Sequence, residues 1–291
     1  MIATISVIGA TGMLGQPVTH ELIRAGYAVR IVARDRTKAQ RLFPSAEIVA
    51  GDLHEPASLI SALRGTDAVY LNLSVRQDEK RADFHAEGEG LANLIDAARQ
   101  TGVRRIGYLS SLIMRYQGMN GFDWWVFALK HEAVRQLKTS GIPYSVFYPS
   151  TFMETLNGSQ RAGRFVLLVG RSAVRLWFVS AHDYGRQVAR AFQIAPDGQH
   201  QEYVVQGPQA LTQHKAAERF VAAYPREKLS VLTTPPGLMQ LGRPFSARAD
   251  YAWHITEALN QYSETFEAGQ TWAELGKPET SIEAFAQRAG G

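Results

Sequence analysis

The chain has no cysteine. Disulfides, thiolate metal ligands and a cysteine nucleophile are therefore excluded. It also lacks any block of like charges, and its net charge of +4 comes from 31 Lys and Arg against 27 Asp and Glu. That balance supplies no basic tail of the kind that grips nucleic acid. No apolar stretch approaches the roughly 20 residues that a membrane-spanning helix needs. Strand-like apolar character begins at Ile2, which leaves no room for a charged leader and its hydrophobic segment. The eight histidines show no H-E-x-x-H or comparable ligand spacing, so no metal site is expected. Together these absences predict a protein of the reducing cytoplasm with no nucleic-acid, membrane or metal partner.

What is present is an ordinary globular composition, 45% hydrophobic and 20% charged over 291 residues, enough for one large core and a smaller appendage. Short apolar runs alternate with helix-length segments: ATISVI, AVRIVA, AEIVA, DAVYLNL, RRIGYLS and PYSVFYP read as strands. Alternation of that kind predicts an α/β protein, a Rossmann-type doubly wound parallel sheet. After Pro149 the pattern loosens, as Gly158, Gly163 and Gly170 interrupt RFVLLV and AVRLWFV. A further helix near 183–195 and the strand EYVVQG follow. The expected division is a Rossmann domain over 1–155, completed by about 183–207, with 156–182 and 208–291 forming a smaller, interleaved substrate lobe. In that lobe TTPPGLMQLGRP reads as a loop.

The first strand runs straight into Gly9-Ala10-Thr11-Gly12-Met13-Leu14-Gly15, and a helix follows at once. Pro17 is tolerated in its first turn, Val18, Leu22 and Ile23 share its apolar face, and Gly26 ends it. Gly9 permits the sharp turn, Gly12 keeps a side chain away from an approaching diphosphate, and Gly15 lets helix and strand pack closely. The N–H groups of Met13 and Leu14 would face the phosphates, with Thr11 inside the same turn. The spacing is G-x-x-G-x-x-G, a variant of the dinucleotide fingerprint.

At the end of the second strand stands Arg34, and Lys38 follows one helical turn later. Two cations there suit the 2′-phosphate of NADP, whereas an acidic residue would favour the ribose of NAD. Asp35 keeps NAD open, and a merely solvated Arg34, Arg36 and Lys38 is the plain alternative. Gly51-Asp52-Leu53 closes the third strand, where Asp52 either accepts from the adenine amino group or caps the helix before Pro56. Asn72, Leu73 and Ser74 end the fourth strand at the carboxyl edge of the sheet, where ligands of open α/β folds bind.

Several segments then resemble one family: GATGMLG, Arg34 with Lys38, GDL, YLSS, Lys130 followed by Glu132, PYSVFYPSTFMETL, FVSAHDYGRQVA and LGKPETSIEAFA. In combination they are similar to the NmrA-like group of atypical short-chain dehydrogenases. The resemblance implies an NADP(H) or NAD(H) cofactor, and either a quinone-, azo-dye- or triphenylmethane-dye-type reductase or a redox-sensing regulator. It also implies that Tyr148, Pro149, Ser150, Thr151 and Phe152 pass close to the nicotinamide, although Phe152 is equally suited to a core.

Ordinary short-chain dehydrogenases use Tyr-x-x-x-Lys, in which the tyrosine delivers a proton to the carbonyl oxygen. Here Val126 stands four residues before Lys130. Tyr116, Tyr144 or Tyr148 would have to be brought in by the fold. On a helix over 122–138, Lys130 projects within about 40° of Val126, in a stripe with Phe122, Leu129, Ala133 and Leu137. A charge on an apolar face needs a partner, and the nicotinamide ribose is the one the resemblance implies. Ser110 and Ser111 end the fifth strand, where a hydroxyl either bonds nicotinamide or substrate or satisfies the strand end. Trp124 projects opposite the stripe and is the candidate substrate-facing lid; the rest of FDWWVF, with Phe245, Trp253 and Trp272, forms either an aromatic wall or core.

The expected function is hydride transfer from NADPH to a quinone-like or other extended aromatic acceptor. A reduced quinone oxygen is stabilised by ring delocalisation and asks less of a general acid than a ketone does. The alternative is a non-catalytic sensor of the dinucleotide; sugar-nucleotide epimerisation ranks behind both because it leans on the missing tyrosine. A monomer or homodimer is expected.

Overall fold

The structure, a computed structural model, describes residues 2–290. Seven strands build the central sheet: β1 (Thr4–Ile8), β2 (Ala28–Ala33), β3 (Glu47–Ala50), β4 (Ala68–Leu71), β5 (Arg105–Leu109), β6 (Tyr144–Pro149) and, after three short strands, β10 (Gln201–Val205). Their order is β10-β6-β5-β4-β1-β2-β3, and every pairing is parallel. The chain reverses its direction of travel between β1 and β4, so a crevice opens above that junction. β5 and β6 are buried along their whole length, as strands covered on both faces must be.

Successive side chains feed opposite layers. Val69, Leu71 and Tyr108 pack under α3 (Pro56–Leu63), α4 (Glu89–Thr101) and α5 (Trp125–Thr139). Tyr70, Leu109 and Phe147 pack on the other face under α1 (Gly15–Arg24), α2 (Arg36–Leu42) and α7 (Ala181–Ile194). Most of the remainder folds around a third core containing Leu156, Leu168, Leu176, Phe178 and Phe220, while Ala258 and Tyr262 join the first of these layers and Leu275 the second. The remainder comprises α6 (Glu154–Asn157), β7 (Arg161–Ala162), β8 (Phe165–Val169), β9 (Leu176–Trp177), β11 (Ala210–Leu211), α8 (Gln213–Ala223), β12 (Ser230–Thr234), α9 (Pro236–Gly242), α10 (Ala247–Gln261), α11 (Gly269–Leu275) and α12 (Ile282–Ala289).

Two expectations change. TTPPGLMQLGRP is not a loop: it completes β12 and forms α9. Paired prolines begin that helix, because Pro236 occupies its first turn, where a missing N–H costs nothing. The fifth helix starts at Trp125 rather than 122, and Trp124 is its N-cap residue in an extended conformation, φ −139° and ψ 122°. Helical projection therefore does not apply to Trp124.

The third core is tied to the sheet through the start of α7. Ser180 caps that helix by accepting from the Asp183 N–H, and Asp183 Oδ2 accepts from the N–H groups of Glu279 and Thr280. Glu154 Oε1 accepts the Ala181 N–H at 2.8 Å. Burial lifts the Glu154 carboxyl to about 7; Asp183 pushes the same way, while the Ala181 N–H and Arg288 oppose. A carboxyl raised on folding holds its proton where the unfolded chain has lost it, so stability falls as pH rises from about 4.5 to 7. Glu154→Gln keeps the acceptor for Ala181 and removes this dependence. Relative to the wild type it should gain on the order of 3 kcal/mol between pH 4.5 and 7, measured by urea unfolding across that range.

Candidate functional site

The loop after β1 is built by its glycines. Gly9 has φ +84°, and a Cβ there would lie 2.2 Å from the Asn72 carbonyl oxygen, so only glycine lets β1 and β4 end side by side. The Gly12 N–H closes the turn on the Gly9 oxygen at 3.1 Å, and Gln16 Nε2 donates to the Thr11 oxygen at 3.2 Å. Among the described residues the N–H groups of Met13 and Leu14 carry no hydrogen bond and sit at the positive end of α1. Gly15→Ala would set a methyl 2.0 Å from the Gly9 oxygen. It should cost about 1–3 kcal/mol of stability, read by thermal unfolding.

A cleft of about 820 Å³ runs along the carboxyl edge over this loop. Its floor is Gly9, Thr11, Gly12, Met13 and Leu14, one end holds Arg34, Lys38, Asp52 and Leu53, and the other holds Asn72, Leu73 and Ser74. Gly15 lies beneath, packed on Gly9. Arg34 and Lys38 are exposed, and neither side chain makes an ion pair or hydrogen bond within the described residues. Asp35 Oδ1 caps α2 by accepting the Lys38 N–H at 2.9 Å. Asp52 Oδ1 instead accepts from the backbone and ring nitrogens of His54, both at 3.0 Å. Partial burial pushes that carboxyl up, but the His54 bonds and the nearby Arg34 bring it below the usual carboxylate range. Asn72 Oδ1 is buried without a partner among the described residues, and its amide nitrogen lies beside Gly12.

The cleft is also lined by Arg76, Glu79, Asp83, Phe84 and Ala86, none of which the sequence analysis singled out. They belong to the connection between β4 and α4, residues 72–88. Its length is the signal that was available, since unstructured connections beyond about 12–15 residues are uncommon in compact domains unless they line a site. Phe84 stacks on His54, ring centroids 3.7 Å apart, so this connection closes over the Asp52 end.

Lys130 does find a partner for its charge, and it is a side chain. Its ammonium donates to Glu87 Oε1 at 2.7 Å, and the Tyr108 hydroxyl donates to the same oxygen at 2.6 Å. Glu87 is fully buried and its Oε2 has no partner. Neither Glu87 nor Tyr108 was anticipated. Burial, with the Glu87 charge beside it, raises the Tyr108 hydroxyl well above its ordinary value, which suits a fixed donor rather than an acid. Val126 is buried.

Lys130 lies outside the cleft lining, and so do the remaining sequence candidates. Ser110 is buried with its hydroxyl on Met114 Sδ at 3.4 Å, and Ser111 precedes the short 3-10 turn Leu112–Tyr116. The Tyr148 hydroxyl donates to Glu202 Oε2 at 2.8 Å, and Tyr144 reaches the same carboxylate. Tyr116 is buried against Phe122 and Tyr262. Pro149 pairs with Val205, the Ser150 hydroxyl lies 2.7 Å from Glu264 Oε2, the Thr151 oxygen accepts the Val179 N–H, and Phe152 packs edge-on to Tyr184. β6 is two strands away from the β1–β4 junction, which explains why this segment faces other partners. Trp124 is corrected outright: it is 2% exposed, stacked on His254 and edge-on to Tyr251, a core residue and no lid. The aromatic wall does not assemble either. Phe245 is 89% exposed, Trp253 lies under Arg243, and Trp272 packs on Phe266 and donates to the Gln206 oxygen. Among the described residues no group of His, Asp and Glu is placed to hold a metal ion, and no helix is long and apolar enough to cross a membrane.

A parallel seven-stranded sheet with helices on both faces and a glycine-turn cleft at its reversal point defines the Rossmann-like class of α/β proteins. Within it the chain belongs to the NmrA-like family, whose model matches residues 1–260. An NAD(P)H azoreductase of Xenophilus azovorans is 28% identical over 224 residues, 75% of this chain and 73% of that protein. Two solved structures share the fold over almost the whole chain. The Citrobacter sp. triphenylmethane reductase complexed with NADP(H) has TM-score 0.72 and 19% identity, over 98% of this chain and 99% of that one. An Escherichia coli NADPH-dependent quinone oxidoreductase complexed with NADPH has TM-score 0.69 and 20% identity, over 97% and 98%.

Proposed function

We propose that this chain binds NADP(H) in the 820 Å³ cleft and passes hydride from it to a quinone-like or other extended aromatic acceptor. The observation that carries the reading is a pair of cations, Arg34 and Lys38, that make no hydrogen bond or ion pair among the described residues, at the far end of a cleft floored by amides free among those residues. Amides at a helix start suit a diphosphate, and cations one turn apart suit a terminal phosphate on the ribose. The residues present fit the cofactor: the Asn72 amide lies beside Gly12 with its Oδ1 buried and unpaired among the described residues, and the glycines leave the approach open. The azo-dye, quinone and triphenylmethane-dye reductions named for the relatives support the acceptor class. Asp52 and Leu53 would meet the adenine. Asn72, Leu73 and Ser74 would lie along the nicotinamide half, with 156–182 and 208–291 contributing the acceptor side. NAD(H) is the alternative cofactor.

The nicotinamide supplies the hydride. The chain's part is to hold it, screen it from water and position Lys130, whose ammonium keeps donors beyond the one given to Glu87 for a ribose hydroxyl. Ser110, Tyr148 and Phe152 would reach the cofactor only after local rearrangement, because their hydroxyls and ring are engaged elsewhere, and Ser111, Pro149 and Thr151 lie beside them outside the cleft lining.

A second reading, a dinucleotide sensor without turnover, is favoured by one observation: Tyr116, Tyr144 and Tyr148 all lie outside the cleft lining, and Lys130 is already paired. Mixing the protein with NADPH and a panel of quinones, azo dyes and triphenylmethane dyes, while following nicotinamide absorbance, separates the two. The reductase reading predicts oxidation of NADPH with at least one acceptor. Binding without turnover on any acceptor would establish the sensor instead.

A further inference from the structure

A second cavity, of about 300 Å³, lies on the other side of Met13 from the cleft. It is walled by Met13, Pro17 and Phe285 and bordered by Glu154, His182 and Arg288. Its size is at the lower end of the range of small-molecule sites, about 300–1,000 Å³.

The polar groups around it are incompletely used, and in a complementary way. Glu154 spends Oε1 on the Ala181 N–H, while Oε2 is buried with no donor. Arg288 gives Nη2 to Thr280 Oγ1 at 3.0 Å and Nε to the Ala284 oxygen, which leaves Nη1 without a partner among the described residues. His182 uses Nδ1 on the buried Glu21 and leaves Nε2 unpaired. Asp183, the other carboxylate close by, is fully engaged by Arg186 and by the Glu279 and Thr280 N–H groups. The cavity is thus bordered by a cationic donor and by a carboxylate whose orphaned oxygen lies just beneath the surface, and Met13, Pro17 and Phe285 add apolar wall. A buried acceptor left unpaired is costly, and native interiors rarely keep one without a partner.

We propose that this cavity is a second ligand site, separate from the cleft, for a flat hydroxylated aromatic acid whose carboxylate pairs with Arg288 and whose hydroxyl donates to Glu154 Oε2 once the carboxyl turns toward the cavity. The ring would lie between Met13 and Phe285. The high position of the Glu154 carboxyl, about 7, has the same origin as its orphaned oxygen, burial without enough donors. A phenolic donor there favours the ionised form, so the hydroxyl's contribution grows as pH rises through 7.

The test is isothermal titration calorimetry of the wild-type protein with 4-hydroxybenzoate, benzoate and phenol at pH 8, repeated with Arg288→Ala and Glu154→Gln. In the wild type 4-hydroxybenzoate should bind at least about tenfold more tightly than either fragment, as expected for one charge-assisted hydrogen bond. Arg288→Ala should bring 4-hydroxybenzoate down to the level of phenol. Glu154→Gln, which keeps an acceptor for Ala181 but turns an amide N–H₂ to the cavity, should make 4-hydroxybenzoate and benzoate equal. Thermal unfolding of both variants identifies any that has failed to fold, and the Glu154→Gln comparison is a ratio within one protein. No binding of 4-hydroxybenzoate by the wild type would overturn the proposal. So would a hydroxybenzoate-to-benzoate ratio that Glu154→Gln leaves unchanged.

Discussion

Replacing Arg34 and Lys38 together by alanine should weaken NADPH binding by a factor of about 100 to 1,000 while changing NADH affinity only a few-fold. Hydrogen bonds between charged partners contribute about 1.5–3 kcal/mol each, and two converge on one phosphate in this arrangement. Both side chains are exposed and make no hydrogen bond or ion pair among the described residues, and the interaction of Arg34 with Asp52 is a solvent-screened one, so stability should change little. Fluorescence titration with each nucleotide reads the result. Equal losses for NADPH and NADH would place the 2′-phosphate elsewhere.

Lys130→Ala should destabilise the fold by about 3–5 kcal/mol, because it strands a fully buried carboxylate. The obvious variant for testing catalysis by Lys130 therefore also tests folding, and its activity has meaning only per folded molecule. Pairing the change with Glu87→Gln removes the uncompensated charge, and the double variant should recover a large part of the loss in urea unfolding. A double variant as unstable as the sum of the two singles would show that Lys130 and Glu87 do not support each other.

Much of this architecture was legible from the order of residues. Alternating apolar runs and helix-length segments sufficed for the doubly wound sheet, because buried parallel strands such as VYL in β4 are nearly continuous in hydrophobicity. GATGMLG was legible because its backbone demands are local: positive φ at Gly9 and contact between Gly15 and Gly9. Long-range pairings were not. Nothing near Lys130 in sequence announces Glu87, 43 residues earlier, or Tyr108 on a neighbouring strand. Trp124 misled because a helical wheel assumes a helix, and that residue sits one position before it begins. Paired prolines misled because the same residue that ends a helix also starts one. The cleft's Glu79–Ala86 wall lies in a segment without periodicity, where only its length carried information.

Everything functional depends on whether the free amides and the two cations along this edge hold a phosphorylated dinucleotide. Calorimetric titration of the purified protein with NADPH measures that directly. The account predicts saturable uptake at one site per chain, tighter than for NADH and weakened by added salt as its ion pairs are screened. Absence of any NADPH uptake at millimolar nucleotide would contradict it.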